Sequence, residues 1–301
     1  MRLMGNHFEI TVVCSDEGFA NHCIDRAVAE ISRIEKLLTT FNDESQTNTI
    51  NKYAGIKPVV VDREVYDLIA RSKKISDLTQ GAFDISYGSV DKTLWNFDTS
   101  MTQLPDRELA KRSVRLINYR NIILDSVDTT AFLKEKGMRI GFGGIGKGYA
   151  ADRAKSVLLQ LGIESGIVNA SGDLVTWGKQ PNGADWTVGI ANPNHRDLPF
   201  SYLNISNLAI ATSGNYEKFV VVDGKKYSHT IDPKTGYPVS GIKSVSVICQ
   251  NAELADALAT PVTIMGIGAG MNLINQMKGI ACIIIDDNDR LYTSDNIKLS
   301  Q

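Results

Sequence analysis

Residues 147–177 read KGYAADRAKSVLLQLGIESGIVNASGDLVTW, and the patterns in and after this stretch decide the fold class. The first part, Lys147–Leu161, has the spacing of a helix, and Ile167–Trp177 is an apolar run typical of a strand. Further strand-like runs follow before the next helical pattern: Trp186–Ile190, Tyr202–Ile205, Phe219–Val222 and Ser244–Cys249. Because helices and strands are segregated rather than alternating, the sequence favours an α+β fold of mainly antiparallel sheet over a doubly wound fold.

The rest of the chain supplies further elements of both kinds. Glu17–Leu38 has helical spacing of apolar residues, and Asp62 can cap a second helix that runs to about Thr79. Ala252–Thr260 is also helical, and one more helix and two strands follow it. Gly81–Asp98 is aromatic and has no clear period, which indicates a functional loop. The remaining predicted strands are His7–Cys14, Val59–Val61, Asn121–Leu124, Thr130–Leu133 and Met138–Ile140.

The composition limits the class of protein. The chain has 301 residues, of which 43% are hydrophobic, and no repeat or linker divides it, so we predict one domain over residues 1–301. The net charge of −2 weighs against nucleic-acid binding over the whole surface. The four cysteines contain no CxxC pair, which disfavours a zinc site and a disulfide scaffold.

No segment predicts membrane insertion or export. The longest apolar stretches noted, such as Gly279–Ile285, have the length of a strand rather than about 20 residues. Residues 1–7 contain no apolar signal region. The pattern is compatible with a cytoplasmic protein and with an exported one whose leader has been removed.

A glycine-rich segment, Gly141–Gly148, comes directly before the helical pattern. It matches the dinucleotide fingerprint G-x-G-x-x-G and nearly matches the phosphate-binding loop G-x-x-x-x-G-K, both of which present backbone N–H groups to phosphate. The phosphate-binding loop needs Ser or Thr where Gly148 stands, and the fingerprint needs a longer strand than Met138–Ile140. We therefore expect an anion site assisted by Lys147, or else a tight turn that needs glycine for positive φ.

Asp256 and Thr260 are spaced i, i+4 and would share one face of a helix. Their small apolar neighbours predict a crowded, buried pair. A carboxylate and a hydroxyl are hard oxygen ligands that suit Mg²⁺ together with a substrate phosphate and water. The alternative is a hydrogen bond between the two side chains. Pro261 disfavours helical backbone at Thr260, so the helix would end there or Thr260 would cap a second one.

His229 stands where a strand gives way to a turn. Asp232-Pro233, followed by Gly236 and Pro238, has strong turn chemistry. A histidine at the end of a strand can donate to a phosphate or accept a proton, and a structural role is the alternative.

Ordered motifs span nearly the whole chain: Met4–Asn6, Phe41–Ser45, Gly81–Ser86, Leu94–Phe97, Gly143–Asp152, Ser171–Asp173, Ala211–Tyr216, Ser228–Pro233 and Ala255–Thr260. Taken together they resemble the FAD:protein FMN transferase family, also called ApbE. The resemblance implies an α+β domain related to the T-fold that binds FAD and Mg²⁺. It implies transfer of FMN from FAD to a Thr or Ser hydroxyl of a target protein, with release of AMP.

The resemblance also implies a set of site residues. The metal would be held by Gly144, Asp256 and Thr260. Positions that match the family's FAD contacts are Met4, Phe41, Ala82, Phe83, Asp84, Lys147, His229 and Thr230. The implied acceptor is a protein of a redox or respiratory complex with a short Thr/Ser motif, and no nucleic-acid partner is expected.

The chemistry of these residue types agrees with such a reaction. Cleavage of a pyrophosphate requires neutralised phosphate charge, for which Mg²⁺, Lys147 and the glycine-loop amides are suited. We predict His229 and Asp256 as the catalytic residues, the histidine by contacting the reacting phosphate and accepting the hydroxyl proton. Phe41 and Trp95 would flank the flavin or adenine ring, with core packing as the alternative.

Several positions depart from the family pattern: Asn6, Asn96, Asp98, Ser171 and Pro261. None of them replaces a predicted metal ligand or His229, so the transferase interpretation is retained. The alternatives are an FAD pyrophosphatase, which uses water as the acceptor, and a protein that binds FAD without catalysis.

Overall fold

The computed structural model describes residues 1–91, 94, 103–190, 201–214 and 219–297. The α-helices in this part of the chain are α1 Glu17–Leu38, α2 Gln46–Lys52, α3 Arg63–Leu78, α4 Arg107–Ser113, α5 Gly146–Gln160 and α6 Ala252–Asn275. The strands are β1 Arg2–Leu3, β2 Asn6–Val12, β3 Val59–Val60, β4 Ile122–Asp125, β5 Thr130–Leu133, β6 Gly166–Ala170, β7 Asp173–Trp177, β8 Trp186–Ile190, β9 Ser201–Ile205, β10 Ala209–Gly214, β11 Phe219–Val222, β12 Lys225–Ser228, β13 Ile242–Cys249, β14 Ala281–Asp286 and β15 Leu291–Thr293.

An eight-stranded antiparallel sheet organises the molecule, in the order β1-β2-β6-β7-β10-β13-β14-β15. Helix α5 packs against both α1 and α6, and α5 and α6 pack on the sheet. The other face of the sheet is covered by the hairpin β8–β9, whose Val188 and Ile190 pack with Ile210 and Ile248. The predicted α+β class with mainly antiparallel sheet is confirmed. The prediction of a single domain stays a prediction.

Most predicted elements occur close to their predicted bounds. The helix Glu17–Leu38 and the strand Trp186–Ile190 have the predicted limits. Asp16 caps α1 by accepting a hydrogen bond from the backbone N–H of Phe19 at 2.9 Å.

The predicted single strand Ile167–Trp177 is wrong, because the segment folds back on itself. Strands β6 and β7 pair as a hairpin, and the two residues between them, Ser171 and Gly172, have φ of 56° and 99°. Two consecutive residues with positive φ form the tight turn that matches the twist of a hairpin. Asp173 is thereby placed at the start of β7.

The predicted strand Met138–Ile140 is also wrong. The side chain of Asn51 donates to the carbonyl of Ile140 at 3.0 Å and accepts from its N–H at 2.7 Å. The hydroxyl of Ser89 bonds in the same way to the carbonyl and N–H of Arg139, at 3.0 and 2.8 Å. Side chains therefore satisfy the backbone groups that a neighbouring strand would otherwise pair.

One predicted alternative was that the helix ends at Thr260, and this alternative is wrong. Helix α6 runs through Pro261 to Asn275, with a break at Gly266 (φ 78°, ψ 171°). Val262 and Leu258 are fully buried on either side of the proline, so packing outweighs its local preference. By length and composition alone α6 is long and apolar enough to cross a membrane, a feature the sequence prediction overlooked. In this structure it packs on β10 and β13 as a core helix.

Helices α5 and α6 meet at a point where a side chain would not fit. A Cβ atom on Gly148 would lie 2.1 Å from the carbonyl oxygen of Ala252. From the next turn of α5, Asp152 accepts hydrogen bonds from the N–H groups of Ala252 and Glu253 at 3.0 and 2.9 Å. The N-terminus of α6 is thus fixed against the first two turns of α5.

We predict that Gly148→Ala destabilises the protein by about 1–3 kcal/mol, because the added methyl group forces the two helices apart. The matched control is Gly268→Ala, at a glycine of α6 with no heavy atom within 4 Å of the added Cβ. The control should be neutral or slightly stabilising, since alanine is the better helix former. Urea unfolding of both variants measures the difference, and equal free energies of unfolding would contradict the close-contact argument.

Candidate active site

The glycine-rich segment does open a helix, as the sequence predicts. The amides of Ile145 and Gly146 donate to the carbonyl of Phe142, at 3.2 and 2.7 Å, and α5 begins at Gly146. None of the glycines between residues 141 and 148 has positive φ, so the alternative of a turn that needs left-handed backbone is wrong. At Gly148 the requirement is space rather than an unusual conformation.

Asp256 reaches from α6 to the first turn of α5. Its carboxylate accepts a hydrogen bond from the backbone N–H of Gly148 at 3.0 Å, and the residue is 7% exposed. The positive end of the α5 dipole favours a negative charge at this place. Burial nevertheless raises the pKa of Asp256 above its usual range, and the nearby carboxylate of Asp173 raises it further.

Lys147 forms an ion pair with Asp173, the first residue of β7. Asp173 is 2% exposed, and its second oxygen accepts a hydrogen bond from the N–H of Thr212 on β10 at 3.3 Å. Burial raises the pKa of Asp173, while the ammonium group of Lys147 opposes the shift. Asp173 was not among the predicted site residues, although its Ser171–Asp173 motif was one of those that carried the family resemblance.

Lys147, Asp173 and Asp256 therefore form a charge cluster in which two buried carboxylates lie beside one half-buried ammonium group. When both carboxylates are ionised, the cluster has one negative charge in excess. A buried excess charge is costly unless a partner neutralises it. The cluster is consequently suited to receive a cation.

Two further oxygen atoms predicted as metal ligands have no hydrogen-bond partner among the described residues. Thr260 is half-buried one turn after Asp256, and its hydroxyl makes no hydrogen bond with the part of the chain that the structure describes. The predicted alternative, a hydrogen bond between Asp256 and Thr260, is therefore wrong. The carbonyl of Gly144 accepts no bond from a described backbone amide, whereas the neighbouring carbonyl of Ile145 accepts one from Tyr149.

The described residues contain no group of three or more His, Cys, Asp or Glu side chains arranged to hold a metal. A cation at the charge cluster would therefore complete its shell with hydroxyl, carbonyl, substrate or water oxygen atoms. Such a donor set suits Mg²⁺, which prefers oxygen and is commonly held by one or two carboxylates.

Several predicted FAD-contact positions surround the glycine segment. Met4 occupies the turn of the hairpin β1–β2, with φ of 51°, and its methyl group would lie 3.5 Å from a Cβ on Gly146. The ring of Phe83 would lie 3.7 Å from a Cβ on Gly144. Ala82, beside Phe83, is buried.

Phe41 is 100% exposed, so the alternative that it belongs to the core is wrong. The side-chain amide of Asn48 donates to the carbonyls on either side of it, those of Thr40 and Asn42, at 3.0 and 2.9 Å. An exposed aromatic ring on a loop fixed in this way is suited to stack on the ring of a ligand. Trp95, the other ring predicted to stack, lies outside the described residues.

The carboxylate of Asp84 is used within the protein. One oxygen accepts from the N–H and hydroxyl of Ser86, at 2.8 and 2.6 Å, and the other accepts from the N–H of Tyr119 at 2.8 Å. Burial raises the pKa of Asp84, and these bonds lower it. Asp84 thus fixes the segment that carries Ala82 and Phe83.

His229 is exposed directly after β12, which confirms the predicted strand followed by a turn. The next residue, Thr230, is buried, and its carbonyl accepts a bond from Val239 at 2.9 Å. Ile231 donates to the hydroxyl of Tyr87 at 3.2 Å, in the 3-10 helix after Asp84. The carbonyl of Ile85 in that helix accepts from Gly141 at 2.9 Å. The histidine segment and the glycine segment are therefore attached to the same short helix.

The ApbE family model matches residues 4–284. The FAD:protein FMN transferase of Klebsiella pneumoniae (strain 342) is 32% identical over 294 residues, which cover 97% of this chain and 90% of that protein. The FAD:protein FMN transferase of Treponema pallidum (strain Nichols) is 30% identical, with 87% and 76% covered. The crystal structure of the ApbE protein from Thermotoga maritima has a TM-score of 0.87 at 29% identity, covering 98% of this chain and 96% of that one.

Proposed function

The chain belongs to the ApbE family and is a transferase, and from this we propose that it transfers FMN from FAD to a Thr or Ser hydroxyl of another protein. AMP is the leaving product. The observation that carries the proposal is the buried cluster of Lys147, Asp173 and Asp256 at the N-terminus of α5. Its charges and amide groups are those that a pyrophosphate and a cation require.

Mg²⁺ is the proposed cation, with the carboxylate of Asp256, the hydroxyl of Thr260 and the carbonyl of Gly144 as its protein ligands. Two observations support this assignment: the oxygen atoms of Thr260 and Gly144 have no partner among the described residues, and two buried carboxylates share one ammonium group. When bound, Mg²⁺ supplies positive charge that neutralises phosphate oxygen atoms. Asp173 does not belong to this ligand set, because its carboxylate holds the ammonium group of Lys147.

Lys147 is proposed to contact a phosphate of FAD. Its ammonium group is held by Asp173, which is itself fixed by the N–H of Thr212, so its position is set before the substrate arrives. A charge fixed in advance stabilises a transition state without the cost of rearrangement. Phe41 is the proposed stacking partner for a ring of FAD, and Met4, Ala82, Phe83, Asp84 and Thr230 complete the proposed FAD contacts.

His229 is the proposed general base. It is exposed at the end of β12, where the hydroxyl of a second protein could reach it. In this step the acceptor oxygen forms a bond to the phosphorus on the FMN side of FAD. The bond from that phosphorus to the bridging oxygen breaks, AMP leaves with the electron pair, and the hydroxyl proton passes to His229.

The proposed reaction is tested by incubating the protein with FAD and Mg²⁺, with and without an acceptor domain that carries the Thr motif. AMP and the mass of the acceptor are measured together. We expect the acceptor to gain one FMN for each AMP released, and EDTA to abolish both. Release of AMP and free FMN without change of the acceptor would instead identify a pyrophosphatase, and FAD binding without AMP would identify a binding protein.

The metal assignment predicts that Asp256→Asn abolishes the rise in thermal stability that Mg²⁺ causes in the unchanged protein, because a bound cation stabilises only the state that binds it. Activity should fall roughly 10²–10³-fold, as for loss of one strong electrostatic contact. Asp25→Asn, at an exposed carboxylate of α1, is the control and should retain both properties. A loss of less than tenfold at saturating Mg²⁺ would show the assignment to be wrong.

The role of His229 predicts that His229→Ala lowers the rate of transfer at saturating FAD about 10²–10⁴-fold, a larger change than that in the KM for FAD. His22→Ala, at an exposed histidine of α1, is the matched control. Single-turnover transfer at saturating FAD separates the two quantities. Full transfer rate in His229→Ala would exclude the histidine from the proton transfer.

A further inference from the structure

A basic cleft of about 430 Å³ opens beside the proposed active site. Its walls come from the segment after α3, from the end of α4, from the 3-10 helix Tyr119–Asn121 and from the turn after His229. Four of its lining residues are basic, namely Lys111, Arg115, Arg120 and Lys234, and Asp84 is the one carboxylate among them.

The positive charge of this cleft is not balanced by ion pairs within the described part of the chain. Lys111, Arg115, Arg120 and Lys234 are all exposed, and none makes an ion pair or a side-chain hydrogen bond with the described part of the chain. Arg120 lies over the ring of Tyr119, 4.8 Å from its centre. Asp84 is buried, and its oxygen atoms are already bonded to Ser86 and Tyr119. Four cations that have no ion pair with a described residue are thus concentrated here, in a chain whose net charge is −2.

The walls of the cleft are held firmly together. A Cβ on Gly236 would lie 1.9 Å from the carbonyl oxygen of Ala110, so the turn that carries Lys234 lies directly against α4. The hydroxyl of Tyr237 donates to the carbonyl of Pro105 at 2.6 Å, and that of Tyr119 donates to Asp77 at 2.7 Å. The cleft is therefore formed before any ligand binds.

The cleft shares two of its walls with the proposed active site. Asp84 lines the cleft, and the preceding residue, Phe83, reaches the glycine segment. Pro233 and Lys234 line it as well, a short distance along the chain from His229. A chain bound in the cleft would thus lie close to the segments that carry the proposed FAD contacts and the proposed base.

We propose that the basic cleft binds an acidic segment of the acceptor protein and so delivers the acceptor hydroxyl to the proposed active site. This inference rests on the proposed function, which requires a second protein as substrate. A protein segment fits the cleft better than a free phosphate does, because the cations are long exposed side chains on three separate elements. The phosphates of FAD are assigned to Lys147 and the N-terminus of α5 in the proposed function, so they do not need the cleft. Opposite charge on the two proteins would also speed and orient their encounter.

The first test measures binding of a fluorescent octaglutamate peptide to the full chain at low salt. We expect the double variant Lys111→Glu/Arg115→Glu to weaken binding at least tenfold. The control is Lys134→Glu/Lys278→Glu, which makes the same change of net charge at exposed lysines outside the cleft and should change binding less than twofold. If both variants weaken binding of the peptide equally, net charge alone explains the effect and the proposal is overturned. Thermal unfolding verifies that both variants are folded.

The second test measures transfer of FMN to the acceptor domain. In the cleft variant we expect the KM for the acceptor to rise about tenfold, while the KM for FAD and the rate at saturating acceptor stay within twofold. An unchanged KM for the acceptor would overturn the proposal. Tripolyphosphate and unlabelled octaglutamate are then compared as competitors of the fluorescent peptide. If tripolyphosphate displaces the peptide at a much lower concentration than octaglutamate does, the cleft is a small-anion site and the proposal is overturned.

The two tests separate failure of this proposal from failure of the proposed function. If the unchanged protein transfers no FMN to any acceptor domain, the proposed function is wrong, and the cleft loses the acceptor as its occupant. If transfer occurs and the cleft variant leaves both peptide binding and the KM for the acceptor unchanged, only the cleft assignment is wrong.

Discussion

The contact between α5 and α6 is the constraint on which the rest of the site depends. Gly148 leaves room for the carbonyl of Ala252, Asp152 holds the first amides of α6, and the N–H of Gly148 binds Asp256. These interactions place the first turns of the two helices side by side. Because β7 lies under the same helices, Asp173 meets Lys147 at this place too. A cluster of two buried carboxylates and one ammonium group beside helical amides is the direct result.

The scaffold around this contact explains how the protein stays folded with two carboxylates buried in the cluster. Two carboxylates are buried with one ammonium group, and the burial that raises both pKa values also removes water that would compete with a ligand. The cost is met by the packing of α1, α5 and α6 on an eight-stranded sheet whose other face is also covered. In the proposed reaction, a cation and a phosphate of FAD would complete the arrangement that this scaffold holds.

The accuracy of the sequence predictions followed how local the relevant forces were. Helix α1 was predicted with its observed bounds because its amphipathic period is contained within the helix itself. The central strand β10 was not predicted, since its sequence AIATSG has little of the β-branched pattern and it forms by pairing with β7 and β13. Met138–Ile140 looks like a strand, yet Asn51 and Ser89, distant in sequence, bind its backbone instead.

The sequence by itself determined the fold class, the family, the strand and turn around His229, and the spacing that places Asp256 and Thr260 on one helical face. These properties depend on residue order and on short-range geometry. Only the tertiary structure decided that Asp173 joins Lys147, that Phe41 is fully exposed, and that the carboxylate of Asp84 is used internally. It also gathered four basic residues from three elements into one cleft. Contacts between residues far apart in the chain depend on how sheets and helices pack, and no local pattern encodes that packing.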